Sequence, residues 1–91
     1  MNTQYLPSFI KDLKNLKSTP VFESIKALVF EEIPSLPSLA EIGNLKKLKA
    51  AENAYRIRIG DYRIGVIFNS ETIIFVRVLH RKDIYRYFPP V

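Results

Sequence analysis

The chain has 91 residues and a mass of 10.6 kDa, which suits a single domain over residues 1–91. It has no cysteine and one histidine, His80, which excludes a disulfide scaffold, a thiolate nucleophile and a metal site built from several Cys or His ligands. No apolar run approaches the roughly 18 residues of a membrane-spanning helix, and the first residues lack the basic and apolar regions of a secretory signal. We therefore expect a soluble cytoplasmic protein.

The positive charge is concentrated in the C-terminal part of the chain. Residues 1–54 carry seven Lys, no Arg and six acidic residues, whereas residues 55–91 carry six Arg, one Lys and three acidic residues. Arginine grips phosphate with a planar fork and stacks on bases, so this distribution favours a polyanionic partner. The alternative is a modest positive charge that only keeps a small protein soluble.

The first half of the chain predicts a short strand followed by two helices. Residues 1–5 are the weak first strand. From Pro7, apolar residues recur at helical spacing, and a second amphipathic helix begins near Pro20 and ends at Pro34. A short turn between the two helices predicts an antiparallel helical hairpin. After a Pro- and Ser-rich connection come Lys46, Lys47 and Lys49, which form either a solvated helical turn or the basic rim of a nucleic-acid groove.

From Tyr55 onwards the apolar residues alternate with polar ones, which predicts strands over 55–59, 62–69 and 72–79. Gly60 stands at the first central position of the connection between the first two runs and suits a two-residue type II′ turn. Helices followed by strands indicate the α+β class. We expect an antiparallel sheet of three to four strands, covered on one face by the helical hairpin and followed by a short C-terminal helical turn.

The predicted turn brings arginines of two strands together. It pairs Arg58 with Arg63 and Arg56 with Gly65, on the face opposite to the apolar side chains. Like charges that face each other destabilise a sheet, so we interpret this face as an anion-binding surface, with Gly65 leaving room for a ligand backbone. The alternative is a solvated outer face on which the arginine stems cover apolar neighbours.

A second group of chemically active side chains follows the last predicted strand. His80, Arg81 and Tyr85 lie within six residues of one another. An isolated histidine is more often structural than catalytic, but histidine is also the usual acid or base near neutral pH. The neighbouring Arg81 and Tyr85 favour a functional role for His80. We interpret Phe88 as an ordinary packing residue.

Two segments together, Tyr55 to Phe68 and Val76 to Arg86, resemble the RelE/ParE superfamily of bacterial toxins, and the Leu45 to Lys49 segment is similar too. The likeness covers nearly the whole chain. It implies a RelE-like fold and the toxin of a type II toxin–antitoxin pair. RelE-like members are ribosome-dependent endoribonucleases that cut mRNA, with the ribose 2′-hydroxyl as nucleophile and without a metal ion or cofactor.

The resemblance also implies catalytic residues. Arg63 fits a Tyr-Arg motif of the family, and His80, Arg81 and Tyr85 match the C-terminal catalytic segment of members with a His-Arg ending. In-line attack needs a base, an acid and cations for the phosphorane charge. We therefore expect His80 or Tyr85 to serve as base or acid, and Arg63 and Arg81 to stabilise the transition state.

The remaining basic residues are expected to hold the RNA backbone. Arg56 and Arg58 occupy strand positions where some RelE members have lysines, and arginine does not act as a base in proteins. The expected RNA-binding residues are thus Arg56, Arg58, Lys46, Lys47 and Lys49.

The expected partners are mRNA on the ribosome and a cognate antitoxin that forms a hetero-oligomer with the toxin, with no membrane involved. Acidic residues of the antitoxin could cover the arginine face. Two other functions stay open: a ParE-like inhibitor of DNA gyrase, and a non-enzymatic basic module that binds RNA or the ribosome.

Overall fold

One mixed sheet with the strand order β1-β5-β4-β3-β2 organises the computed structural model, which describes residues 1–89. The strands are β1 (Asn2–Tyr5), β2 (Leu45–Lys47), β3 (Ala54–Ile59), β4 (Tyr62–Asn69) and β5 (Thr72–His80). β1 runs parallel to β5, and the other neighbouring pairs are antiparallel. The α+β class is confirmed, but the sheet has five strands and is mixed, so the predicted antiparallel sheet of three to four strands is wrong.

The pattern of apolar and polar residues does not predict strand β2. Leu45 pairs with Ile57, Lys46 with Arg56, and the short strand forms the outer edge of the sheet beside β3. Consecutive lysines give no alternation of apolar and polar residues, so the expectation of a solvated helical turn is wrong here. Short, lysine-bearing edge strands are a common protection against pairing with other chains.

The helices are α1 (Pro7–Lys14), α2 (Phe22–Ala27), α3 (Ile33–Ser35) and α4 (Ile84–Tyr87), with a 3₁₀ turn at Leu39–Glu41. α2 continues into α3 through a wider π turn at Leu28–Glu32. The helical segment ends at Ser35, one residue beyond the predicted end at Pro34, and Ile33 before the proline keeps helical dihedral angles. No helix within residues 1–89 combines the length and apolarity that a membrane span requires.

A large apolar core, here called the first core, joins the helices to the inner face of the sheet. The predicted antiparallel helical hairpin is confirmed only in part, because α1 packs mainly along β5 and not against α2. Each buried aliphatic or aromatic side chain contributes about 1.5–3 kcal/mol relative to exposure, so this core anchors both helical segments. Its buried members are Phe9, Leu13, Ile25, Val29, Ile33, Ile42, Ile57, Ile64, Val66, Ile73, Phe75 and Val78.

A smaller core lies on the outer face, where the C-terminal segment returns over the sheet. This second core consists of Leu48, Ala54, Val76, Ile84 and Phe88. Phe88 is fully buried, which confirms its interpretation as a packing residue. A Cβ atom on Gly65 would lie 2.6 Å from the Phe88 ring. The space above Gly65 is thus filled by Phe88, and the expectation that a ligand backbone approaches there is wrong.

α1 completes the hydrogen bonding of β5 beyond the end of β1. The Asp12 carboxylate accepts the Val78 N–H at 3.1 Å, and the Ser8 hydroxyl donates to the Val76 carbonyl at 2.6 Å. Asp12 also binds the Arg77 guanidinium through both oxygens, at 2.7 and 3.0 Å. The pKa of Arg77 lies above its ordinary value, chiefly because of this hydrogen bond. Side chains of a helix therefore replace the missing neighbouring strand.

Candidate active site

The β3–β4 hairpin has the register that the sequence predicts. Arg58 pairs with Arg63 and Arg56 with Gly65, across a turn in which Gly60 has φ of +59°. Because residues paired across a sheet point to the same face, the three arginines share the outer face, away from the first core. The predicted convergence of arginines from two adjacent strands is confirmed.

Arg63 lies at the centre of this surface. Its Nη1 donates to the carbonyl oxygens of Gly60 and Tyr62, both at 2.9 Å. Its pKa lies below the ordinary value for arginine, first because of burial and then because of the positive charges of Arg56 and Arg58. Arginine stays protonated in proteins, so the site holds a cation in unfavourable surroundings. Within residues 1–89 no other hydrogen bond engages this guanidinium, so its Nε and Nη2 donors are unused among the described residues.

Asn44 orients the other two arginines, and sequence reasoning missed it. Its carbonyl oxygen accepts the Arg58 N–H at 3.1 Å and Arg56 Nη1 at 3.3 Å, and its Oδ1 accepts Arg58 Nη2 at 3.4 Å. The residue has φ of +59°, a conformation that asparagine tolerates better than most residues. The Gly43-Asn44 dipeptide was a turn signal that could have revealed it. The Arg56 Nε is buried without a partner among the described residues, so this guanidinium has an unused donor.

The C-terminal segment brings two more groups to the same surface. The backbone N–H of Arg81 donates to the Asp61 carbonyl at 2.8 Å, and Arg81 Nε lies 3.9 Å from the exposed Asp61 carboxylate. Tyr85 is 59% exposed. Tyr85 raises the pKa of Arg63 and Arg81 lowers it, although both influences are smaller than those of burial, Arg56 and Arg58. A phenol and four guanidinium groups therefore lie on this part of the outer surface. We call this group the arginine–tyrosine cluster: Arg56, Arg58, Arg63, Arg81 and Tyr85.

His80 does not join the cluster. The register of β5 pairs Leu79 with Arg63 and His80 with Tyr62, so His80 points to the inner face. Its ring packs edge-on against Tyr62, with centroids 5.5 Å apart, and its Nδ1 accepts the Lys82 N–H at 3.2 Å. The expectation that the imidazole shares one site with Arg58 and Arg63 is wrong. In this position the hydrogen bond from Lys82 to the imidazole stabilises the turn that leads from β5 into the C-terminal segment.

The three predicted RNA-binding lysines are separated. Lys46 pairs with Arg56 and extends the positive outer face towards the sheet edge. Lys47 pairs with Tyr55 on the inner side, with its Nζ 5.7 Å from the Tyr55 ring and donating to the Glu52 carbonyl. Lys49 is exposed in the loop after β2. Lys46 therefore lies with the cluster, whereas Lys47 faces the other side of the sheet, because alternate strand residues face opposite ways.

The arrangement is suited to binding and polarising a phosphodiester. Guanidinium groups offer paired donors to phosphate oxygens and stabilise charge that develops on them, and a phenol can donate or accept a proton. Within residues 1–89, no three His, Cys, Asp or Glu side chains come together as a metal site would require.

The chain is similar to known proteins over nearly its whole length. The sequence model of a family described as the ParE toxin of the type II toxin–antitoxin system, parDE, matches residues 4–85. Toxin RelE3 of Methanocaldococcus jannaschii is 47% identical over 90 residues, which span 98% of this chain and 100% of that toxin. Putative toxin RelE1 of the same organism is 30% identical over 83 residues, 90% of each chain.

A solved structure agrees with these relatives. A chain in the crystal structure of the RelB–RelE antitoxin–toxin complex from Methanococcus jannaschii matches this fold with a TM-score of 0.77 at 46% identity. The match covers 94% of this chain and 99% of that chain. The fold of this chain is thus similar to that of a chain crystallised in an antitoxin–toxin complex.

Proposed function

This chain belongs to the ParE toxin family and is a RelE-like toxin of a type II toxin–antitoxin system, and from this membership we propose that it cleaves mRNA on the ribosome. The nucleophile is the ribose 2′-hydroxyl, and the arginine–tyrosine cluster binds the scissile phosphodiester. The main evidence for this proposal is that Arg58 and Arg63 face each other across β3 and β4. Arg81 and Tyr85 lie on the same exposed surface.

The facing arginines favour an anionic ligand over a purely structural role. Each guanidinium raises the electrostatic free energy of its neighbour, and like charges directly opposite destabilise a strand pair. An anion between Arg58 and Arg63 reverses the sign of that contribution. A phosphodiester is the appropriate anion because it carries two free oxygens that paired N–H donors can bind. Lys46 and Arg56 continue the positive surface along β2 and β3, where flanking phosphates of a single strand can bind.

Three members of the cluster have roles in the proposed reaction. Arg63 and Arg81 stabilise the charge that develops on the phosphorus-bound oxygens during in-line attack. Proton transfer falls to the Tyr85 hydroxyl, because guanidinium groups do not act as bases in proteins. The 2′-hydroxyl loses its proton as its oxygen bonds to phosphorus, and the 5′-oxygen takes up a proton as its bond to phosphorus breaks. Tyr85 serves one of these two transfers and solvent water the other. The products carry a 2′,3′-cyclic phosphate and a 5′-hydroxyl.

An antitoxin is the second partner in this proposal. The related RelE chain was crystallised as a RelB–RelE complex, and we infer that this toxin likewise forms a hetero-oligomer with a cognate antitoxin. The positive outer face would attract acidic residues of such a protein. Because translated mRNA is the substrate, the proposed site of action is the cytoplasm.

The test is a cleavage assay on translating ribosomes with mapping of the new RNA ends. We expect cuts within the mRNA that depend on ribosomes and carry 5′-hydroxyl ends. Tyr85→Phe should lower the cleavage rate about 10²–10⁴-fold, and Arg63→Ala about 10²–10³-fold. Tyr55→Phe is the matched control, since it removes a tyrosine hydroxyl from the other side of the sheet and should cleave at the wild-type rate.

Two results would overturn the proposal. Toxicity with intact mRNA and accumulating DNA breaks would indicate a gyrase inhibitor. Salt-sensitive binding of RNA or ribosomes without any cleaved product would indicate a binding module. Wild-type cleavage by Tyr85→Phe would leave the nuclease activity in place but contradict the assignment of proton transfer to Tyr85.

A further inference from the structure

The short helix α4 presents its two tyrosines to different parts of the molecule. Ile84 and Phe88 are fully buried in the second core, whereas Tyr85 and Tyr87 are 59% and 53% exposed. With about 100° of rotation per residue, Tyr85 and Tyr87 project from opposite sides of the buried stripe. Tyr87 lies over Arg77 of β5, whose guanidinium carbon is 4.9 Å from the ring centroid, and Phe88 packs on Gly65 of β4. The other side of the stripe therefore turns Tyr85 away from Arg77 and towards the strands that carry Arg58 and Arg63. The rotation of α4 about its buried stripe therefore sets both positions together.

Arg77 is itself held rigidly from the other side. Its Nε and Nη2 donate to the two oxygens of Asp12, and Asp12 is only 7% exposed. The same carboxylate accepts the Val78 N–H. A bidentate pair of this kind fixes the plane of the guanidinium. The chain of contacts Asp12–Arg77–Tyr87 thus connects α1, β5 and α4.

We propose that Arg77 is a positioning residue that, through Tyr87, holds α4 in the rotation that places Tyr85 beside Arg63. This inference rests on the proposed role of Tyr85 in RNA cleavage. A helix of four residues has little stability of its own, so its orientation depends on contacts with the body of the protein. Ile84 and Phe88 attach it to the sheet, and the cation–π contact between Arg77 and Tyr87 restricts rotation about that attachment.

The experiment compares Tyr87→Ala with the conservative variant Tyr87→Phe. Tyr87 is half exposed, so neither substitution removes a core residue. We expect Tyr87→Ala to lower kcat for ribosome-bound mRNA about 10- to 100-fold with KM unchanged, since a displacement of about 1 Å can cost that much in rate. Tyr87→Phe retains the ring over Arg77 and should restore the wild-type kcat. Amide hydrogen exchange of residues 84–88 should be faster in Tyr87→Ala and unchanged in Tyr87→Phe.

A double-mutant cycle separates positioning from direct contact with RNA. If Tyr87 acts through Tyr85, adding Tyr87→Ala to Tyr85→Phe lowers kcat no further. A further tenfold loss in the double variant would mean that Tyr87 binds RNA itself and would overturn the proposal. Arg77→Lys, which keeps the charge but loses the planar fork, should show the kcat defect of Tyr87→Ala.

The exchange measurement keeps this inference distinct from the proposed function. If Tyr85→Phe cleaves RNA as fast as the wild type, the role of Tyr85 fails, and the exchange of residues 84–88 alone decides whether Arg77 holds α4. Unchanged exchange in Tyr87→Ala would overturn the positioning role even in an active nuclease.

Discussion

On its inner face the sheet carries Ile57, Ile64 and Val78 beneath the helices, and these side chains are almost entirely buried. On the outer face the same strands carry Arg58 and Arg63 opposite each other, with an open surface above them. Both faces come from one backbone, so the difference lies in the alternating side chains alone. The side chains of the inner face stabilise the fold through burial. On the outer face the two facing arginines repel each other, and such a destabilising pair is typical of functional sites.

The outer face is itself divided. The second core, supplied largely by Ile84 and Phe88, covers the part above Gly65 and Val76. The arginine–tyrosine cluster occupies the rest. Because Tyr85 belongs to the segment that forms this small core, the packing of a few C-terminal residues and the geometry of the proposed site depend on each other.

The largest expected effect is a contrast between two fully buried phenylalanines. Phe9→Ala removes a side chain from the first core and should lower the free energy of unfolding by about 3–5 kcal/mol. Phe88→Ala releases a terminal segment, which can detach while the remainder stays folded, so it should cost no more than about half as much. At a temperature where both variants are folded, the RNA cleavage rate of Phe88→Ala should nevertheless be further below the wild-type rate than that of Phe9→Ala.

Urea denaturation and the ribosome cleavage assay measure the two quantities. Equal losses of stability in the two variants would show that the outer segment is as integral to the domain as the inner face, and would remove the contrast between the cores.

A glycine substitution gives the next largest effect. Gly65→Ala places a Cβ atom 2.6 Å from the ring of Phe88, so α4 must shift or the sheet must deform. Overpacking of this kind costs about 1–3 kcal/mol, and the shift should carry Tyr85 away from Arg63. Gly43→Ala is the control, because nothing lies within 4 Å of its added Cβ. Thermal unfolding should place the control within about 0.5 kcal/mol of the wild type; an equal loss in both variants would contradict the tight contact.

The smallest expected effect has the opposite sign. Arg58→Thr removes the repulsion with Arg63 and introduces a residue that suits strands, so it should raise the free energy of unfolding by about 0.2–1 kcal/mol at low salt. The gain should shrink as salt screens the pair, and RNA cleavage should fall. Arg58→Lys keeps the charge and should show no gain. A loss of stability in Arg58→Thr would mean that the bond to Asn44 outweighs the repulsion.

Local chemistry was sufficient for much of this protein. The Gly60 turn and strict alternation determined the β3–β4 hairpin and the common face of Arg56, Arg58 and Arg63, because a two-residue turn leaves one register. The helices, the burial of Phe88 and the α+β class follow from equally local patterns. β2 was not predictable in this way, since its consecutive lysines have no periodic pattern and its pairing with β3 joins residues from separate parts of the chain.

The position of His80 was decided by tertiary structure. Uninterrupted alternation along β5 from Thr72 would have placed its ring on the outer face with Arg63. The irregularity opposite Gly65 and Val66 shifts the pairing by one residue, and a shift of one residue reverses the face of every side chain that follows. The amino-acid sequence by itself determined which groups the proposed site has available, through the turn and the alternation of β3 and β4. Only the assembled sheet, with Phe88 packed on Gly65 and the bulge beside it, decided that Tyr85 joins the arginines and that His80 does not.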